Sequence, residues 1–231
     1  MKSRGFTLIE LLVVSAIVAV LAAITLSSVA SLLAKAKGIQ CVSNLSQWGM
    51  ALQLYLKDND GYLPRRGQGV QPVFQYNRPD DWFNSLTPYL DMPSYWDLYQ
   101  RGQTPRPHDR SVFICPSANA STTAGSSNFI TYGMNIFIGR WDQPDRTKIT
   151  KLPHTATLAF MADSPGGYAS TVPSPYAYSV VPRHGGQANV AFFDGHVQTF
   201  SGDYLGCGTN LKTQPDIHWP SGMEGDIWTP Y

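Results

Sequence analysis

Between residues 6 and 26 the chain has a single charged side chain, Glu10, in a run otherwise built of Phe, Leu, Ile, Val, Ala, Ser and Thr. A helix that is apolar on every side needs lipid or a bundle core around it. The helical signal does not stop there. Cys41, Leu45, Trp48, Leu52 and Tyr55 recur at alternating steps of four and three, which is one helical face. Val42, Gly49 and Leu56 flank that stripe, while Ser43, Asn44, Ser46, Gln47 and Gln53 lie off it. Read as one helix, residues 6–56 measure roughly 75 Å at about 1.5 Å per residue. A rod of that length needs membrane at one end and a domain, or neighbouring subunits, along the rest. The second half is expected to pack on a globular domain, with Cys41 on the domain side. Asp58-Asn59-Asp60-Gly61, followed by Pro64, ends it.

Glu10 is the odd element. An ionised carboxylate in a membrane helix costs about 2.5–3.5 kcal/mol on the insertion scale, so intramembrane acids usually have a partner and a function. Ahead of it stand Met1-Lys2-Ser3-Arg4-Gly5, a short basic leader, then Phe6-Thr7-Leu8-Ile9. One alternative is a secretory signal peptide, with Lys2 and Arg4 as its basic region, Ser28-Val29-Ala30 as its cleavage site and a mature start at Ser31. Against it, Glu10 interrupts the pattern and Leu32 and Leu33 extend the apolar run. The segment instead resembles the N-terminus of type IV prepilins and type II secretion pseudopilins. The resemblance implies cleavage after Gly5 by a membrane-embedded prepilin peptidase and methylation of the new amine on Phe6. It also implies that Glu10 pairs with the Phe6 amine of a neighbouring subunit during assembly, since a carboxylate in low dielectric needs a cation.

The whole chain has 231 residues, room for one anchor and one domain. Net charge is +1 with no basic patch, so nucleic-acid binding is not expected. Charged residues make up only 14% and aromatics 12%, with 17 Pro and 20 Gly, which suits a loop-rich extracytoplasmic domain. The basic leader stays cytoplasmic, so the rest faces outward. Three cysteines fit an oxidising compartment with one disulfide. Cys41 with Cys115 is the preferred pair, but three pairings are possible and Cys207 is unassigned.

Beyond the helix, residues 62–110 are rich in Pro, Tyr, Trp, Gly and Gln and read as an irregular insertion, with a short helix over 81–86. Residues 111–114, 131–138 and 157–162 read as strands, and 118–128 as loop. Residues 188–193 and 196–200 form two short strands around Asp194-Gly195, a type I′ turn signal. In that register Phe192 faces Val197 and Phe193 faces His196. The tail after Gly206 has no regular pattern, and its Asp216, Glu224 and Asp226 read as solvated acids rather than calcium ligands.

His184 followed by Asp194-Gly195 resembles the H-X9-D-G motif of a large bacterial prepilin-like family. Cys41-Val42-Ser43-Asn44-Leu45, Tyr55, Cys115-Pro116, Tyr132-Gly133-Met134-Asn135 and Asp163 fit the same family. His184, Asp194 and His196, with Asp163 from a neighbouring strand, form a candidate set for a divalent metal. The plainer reading is structural: Asp194-Gly195 is a turn, and His184 hydrogen-bonds to the hairpin. No nucleophile, base and pocket combine into a catalytic set, and no cofactor motif is present, so an enzyme is not expected.

The expected architecture is α+β and pilin-like, with the long helix packed on a small antiparallel sheet. Its parts are a leader (1–5), a transmembrane and assembly helix (6–33), an amphipathic half (34–56) and an extracytoplasmic domain (57–231). The resemblance implies a structural subunit, of the minor type, of a type IV pilus-like or type II secretion pseudopilus filament. Its partners would be the prepilin peptidase, other pilin or pseudopilin subunits and the inner-membrane assembly platform. Its location would be the inner membrane as a single-pass protein, and then the filament. A binding module gripping glycan or secreted substrate through Tyr95, Trp96 and Tyr99 is the alternative, followed by an anchored metal-binding protein.

Overall fold

A computed structural model describes residues 6–67, 73–118, 130–138, 147–152, 154–212 and 214–219, leaving aside the side chains of 25–28 and 30. The leader with Gly5, most of the 118–128 loop, and Glu224 and Asp226 lie outside the described residues. The chain divides into two units, Met1–Lys37 and Gly38–Tyr231. Helix α1, Leu8–Asp58, contributes to both.

In the first unit the described large apolar side chains are exposed, Leu8 at 82% and Ile9 at 75% among them. Among the described residues no helix is long and apolar enough to cross a membrane. The apolar run read from the sequence includes Thr25 and Leu26, whose side chains lie outside that description.

In the second unit the stripe is the core face of α1. Cys41, Leu45, Trp48 and Leu52 are fully buried and Tyr55 nearly so. Trp48 meets Trp82 edge-on at 5.0 Å and Phe113 at 5.2 Å, and its Nε1 donates to the Val112 carbonyl. Asn44, expected off the face, is buried. Its amide nitrogen donates to the Ser111 and Ile114 carbonyls and to the Tyr132 hydroxyl.

After α1 come α2 (Trp82–Ser85), a 3-10 turn (Thr87–Leu90) and α3 (Tyr95–Gln100). The insertion thus has more helix than its composition suggests. Helix α3 starts with a capping box, Ser94 accepting from the Asp97 amide and Asp97 accepting from the Ser94 amide. The strands are β1 (Tyr132–Asn135), β2 (Ala159–Asp163), β3 (Ser170–Thr171), β4 (Gln187–Phe192) and β5 (Val197–Ser201), and α4 (Gly202–Leu205) follows β5. Residues 111–114, expected to be a strand, form turns instead. The Ile114 and Ser111 carbonyls bond the Asn44 side chain, and the Cys115 amide bonds the Thr131 hydroxyl, so no ladder partner is needed.

The sheet order is β3-β1-β2-β4-β5. It is mixed rather than antiparallel, because β1 and β3 run parallel. That pairing depends on Gly133, where a Cβ would lie 2.9 Å from the Ser170 carbonyl carbon. Side chains alternate between faces. Met134, Met161 and Ala191 join the α1 core, while Ala162, Val190 and Phe192 join a second core with Phe200, Leu205, Ile217 and Trp219. The patternless tail therefore covers the second face of the sheet.

The hairpin register differs by one residue from the expected one. Ala191 pairs with Val197, and the Phe192 amide donates to the His196 carbonyl, leaving a three-residue loop of Phe193, Asp194 and Gly195. Only Gly195 of the three has positive φ, at 95°, whereas a type I′ turn needs it at both central residues. The reason is Phe193, which leaves the ladder to bury its ring against Phe160.

Candidate functional site

At the start of α1, Thr7 and Glu10 cap the helix reciprocally. The Glu10 amide donates to Thr7 Oγ1 (3.3 Å), while the Thr7 amide and hydroxyl donate to Glu10 Oε2 at 2.9 and 2.8 Å. This is the Thr-x-x-Glu capping box spelled by Thr7-Leu8-Ile9-Glu10, a local role for the carboxylate beside the expected intersubunit one. It gives the carboxylate local donors within its own chain. Phe6 is 78% exposed immediately before the cap.

The second site lies where α1 meets the sheet. Cys41 and Cys115 are joined in a disulfide. His184 Nε2 lies 3.5 Å from Cys115 Sγ and 3.3 Å from Asp163 Oδ2. Asp163, fully buried at the end of β2, also accepts from the Asn189 amide at 2.8 Å. His184 is placed by a tight turn: its amide donates to the Gln187 carbonyl, and Gly185 and Gly186 both have positive φ. Arg183 donates to the Ser164 carbonyl. Burial pulls its pKa down, and the neighbouring Asp163 carboxylate opposes that shift. Burial holds the Tyr132 phenol well above its ordinary pKa, with the Asp163 charge adding to the effect, so it is neutral, and it accepts from the Asn44 amide.

Asp194 and His196 form a separate pair at the hairpin, Oδ1 to Nδ1 at 2.6 Å. His196 stacks on Phe192 with centroids 4.2 Å apart, a consequence of the shifted register. Gly195 instead meets α1. A Cβ on Gly49 would lie 3.2 Å from the Gly195 carbonyl oxygen, and Gln53 Nε2 donates to the Phe193 carbonyl at 2.6 Å. The four residues grouped from the sequence as metal ligands thus divide into two pairs, His184 with Asp163 and Asp194 with His196. Among the described residues, the group of three that can converge on one ion is Cys41, Cys115 and His184. Nothing in the spacing of the two cysteines and the histidine along the chain places them together.

The expected aromatic surface is also altered. Tyr95 is fully buried against Phe83 and Phe113, Trp96 stacks on Tyr99, and Tyr99 stacks on Tyr76. Tyr95 is thus lost from that surface, while Trp96 is partly buried and Tyr99 stays 44% exposed. Cys207 is a free thiol, and burial pushes its pKa up to about 12, so it stays protonated.

Residues 1–26 match the family model of the prokaryotic N-terminal methylation motif. That match supports a prepilin-type protein and takes in Gly5, Phe6 and Glu10. Neither a curated protein nor a solved structure matches the chain.

Proposed function

We propose that this chain is a structural subunit of a type IV pilus-like or type II secretion pseudopilus filament, with no catalytic role. The observation that carries the reading is the methylation motif over residues 1–26, which ends inside a 51-residue helix that also supplies a core face of the globular unit. Prepilin peptidase cuts between Gly5 and Phe6 and methylates Phe6. Before assembly the apolar run of α1 holds the subunit in the inner membrane, and the domain faces outward. Glu10, held by its own Thr7 until then, exchanges those donors for the amine of a neighbouring Phe6. The neighbours are other pilin-type subunits delivered by an inner-membrane platform. The D-G turn of the H-X9-D-G resemblance serves assembly indirectly, by seating the sheet on α1 through Gly49 and Gln53.

Mass spectrometry of the mature protein should give an N-methylated Phe6; a start at Ser31 would indicate a signal peptide instead. Glu10→Ala should be processed and inserted normally but enter filaments poorly. Thr7→Ala separates the two roles of the carboxylate, since it removes the two hydroxyl bonds of the cap and keeps the acid. Normal filaments from Glu10→Ala, or an equal loss from Thr7→Ala, would refute registration by Glu10.

A further inference from the structure

We infer that Cys41, Cys115 and His184 form a binding site for a thiophilic divalent cation, with zinc as its natural class, whenever the Cys41–Cys115 disulfide is open. The two sulfurs and a His184 ring nitrogen all lie within 4.8 Å of one another. Cys115 Sγ and His184 Nε2 are 3.5 Å apart. Tetrahedral zinc with Zn–S of about 2.3 Å and Zn–N of about 2.0 Å has an S···N edge of about 3.5 Å, so this edge is already set. With the bond open, the sulfurs reach their own edge of about 3.8 Å by side-chain rotation. The pieces are rigidly presented: Cys41 by α1, Cys115 by the turn that Thr131 and Asn44 hold, and His184 by the 184–187 turn.

Charge favours the ion. Two thiolates and Asp163 bring three negative charges into a buried region, and Arg183 with a divalent cation brings three positive ones. Asp163, 3.3 Å from His184 Nε2, is the adjacent carboxylate. Both cysteines are fully buried, and the His184 side chain, 10% exposed, is the edge of the site nearest solvent. Disulfide and metal are mutually exclusive states of the same sulfurs. A dithiol supplies two electrons and two protons to open the disulfide and leaves as its own disulfide. Binding the cation then sends the two thiol protons to solvent. The metal state belongs to the chain before its thiols are oxidised, and it would hold α1 on the sheet in place of the covalent link.

The test uses full-length protein carrying Cys207→Ser, which removes the free thiol, reduced and then freed of reductant under nitrogen. Titration with cobalt(II) should give one equivalent per chain with a thiolate-to-metal charge-transfer band and tetrahedral d–d intensity, displaced by zinc. The disulfide form should give neither. His184→Ala should weaken cobalt binding at least tenfold, His184→Cys should keep the band with stronger charge transfer, and Asp194→Ala should leave it unchanged. The inference is overturned by the lack of a band in the reduced chain. It is equally overturned if His184→Ala binds as the parent does, or if Asp194→Ala loses as much as His184→Ala.

Discussion

Alanine placed at two glycines of the same helix should move stability in opposite directions. Gly38 and Gly49 both lie inside α1, where Gly→Ala gains about 1 kcal/mol of helix propensity. At Gly38 the new methyl would meet His184 Nδ1 at 3.6 Å, an ordinary contact, so the gain is kept. At Gly49 it would meet the Gly195 carbonyl oxygen at 3.2 Å and Gly195 Cα at 3.3 Å. Relief requires the hairpin loop to retreat by a few tenths of an ångström, and that loop is pinned by Gln53 on the Phe193 carbonyl and by the Phe193 ring on Phe160. Overpacking of this kind costs roughly 1–3 kcal/mol. Gly49→Ala should therefore lose about 1 kcal/mol net while Gly38→Ala gains about 1 kcal/mol. With a urea slope of about 2 kcal/mol per molar, the two midpoints should differ by about 1 M. Trp48 and Trp82, buried edge to face, make fluorescence a suitable probe. A Gly49→Ala midpoint at or above that of Gly38→Ala would refute the close approach of the D-G turn to the helix.

Two further outcomes follow from the packing. The disulfide closes a 74-residue separation, and loop-closure entropy puts its loss at about 4 kcal/mol, so Cys41→Ser/Cys115→Ser should shift the denaturation midpoint accordingly. Asp81 is fully buried, neither carboxylate oxygen accepts a hydrogen bond among the described residues, and burial raises its pKa to about 7 against the pull of Arg78 and Arg65. Because the folded value lies above the unfolded one, this group's contribution to stability is full below about pH 4 and is lost as pH rises towards 7. Unfolding titrations of Asp81→Asn should show that decline flattened, by an amount of the order of a few kcal/mol; an unchanged pH profile would assign the slope elsewhere.

The stripe on α1 was legible because burial on one face of a helix imposes its own period on the sequence, and Cys41 to Tyr55 keep it strictly. Asn44 was not, because a buried amide is specified by its partners, and these come from residues 111–114 and Tyr132, far along the chain. The hairpin was legible as an Asp-Gly turn, but its register depended on whether Phe193 stayed in the ladder or joined the core, a choice made by Phe160. The parallel β1–β3 pair left no pattern, since two residues, Ser170 and Thr171, are too few to show alternation. Asp163 and His184 were singled out by motif, yet their meeting with the disulfide arises only when β2, the 184–187 turn and α1 converge.

The Cys41–Cys115 link also fixes how tension runs through the subunit. A pull applied through the N-terminal half of α1 and resisted at the sheet reaches Cys41 and passes directly to Cys115. The chain between them, the rest of α1 and the whole aromatic insertion, is shunted out of the load path. At about 3.5 Å per residue this keeps roughly 250 Å of contour out of reach while the disulfide is closed, and that length is released only when neither disulfide nor metal joins Cys41 to Cys115 and the core face of α1 gives way.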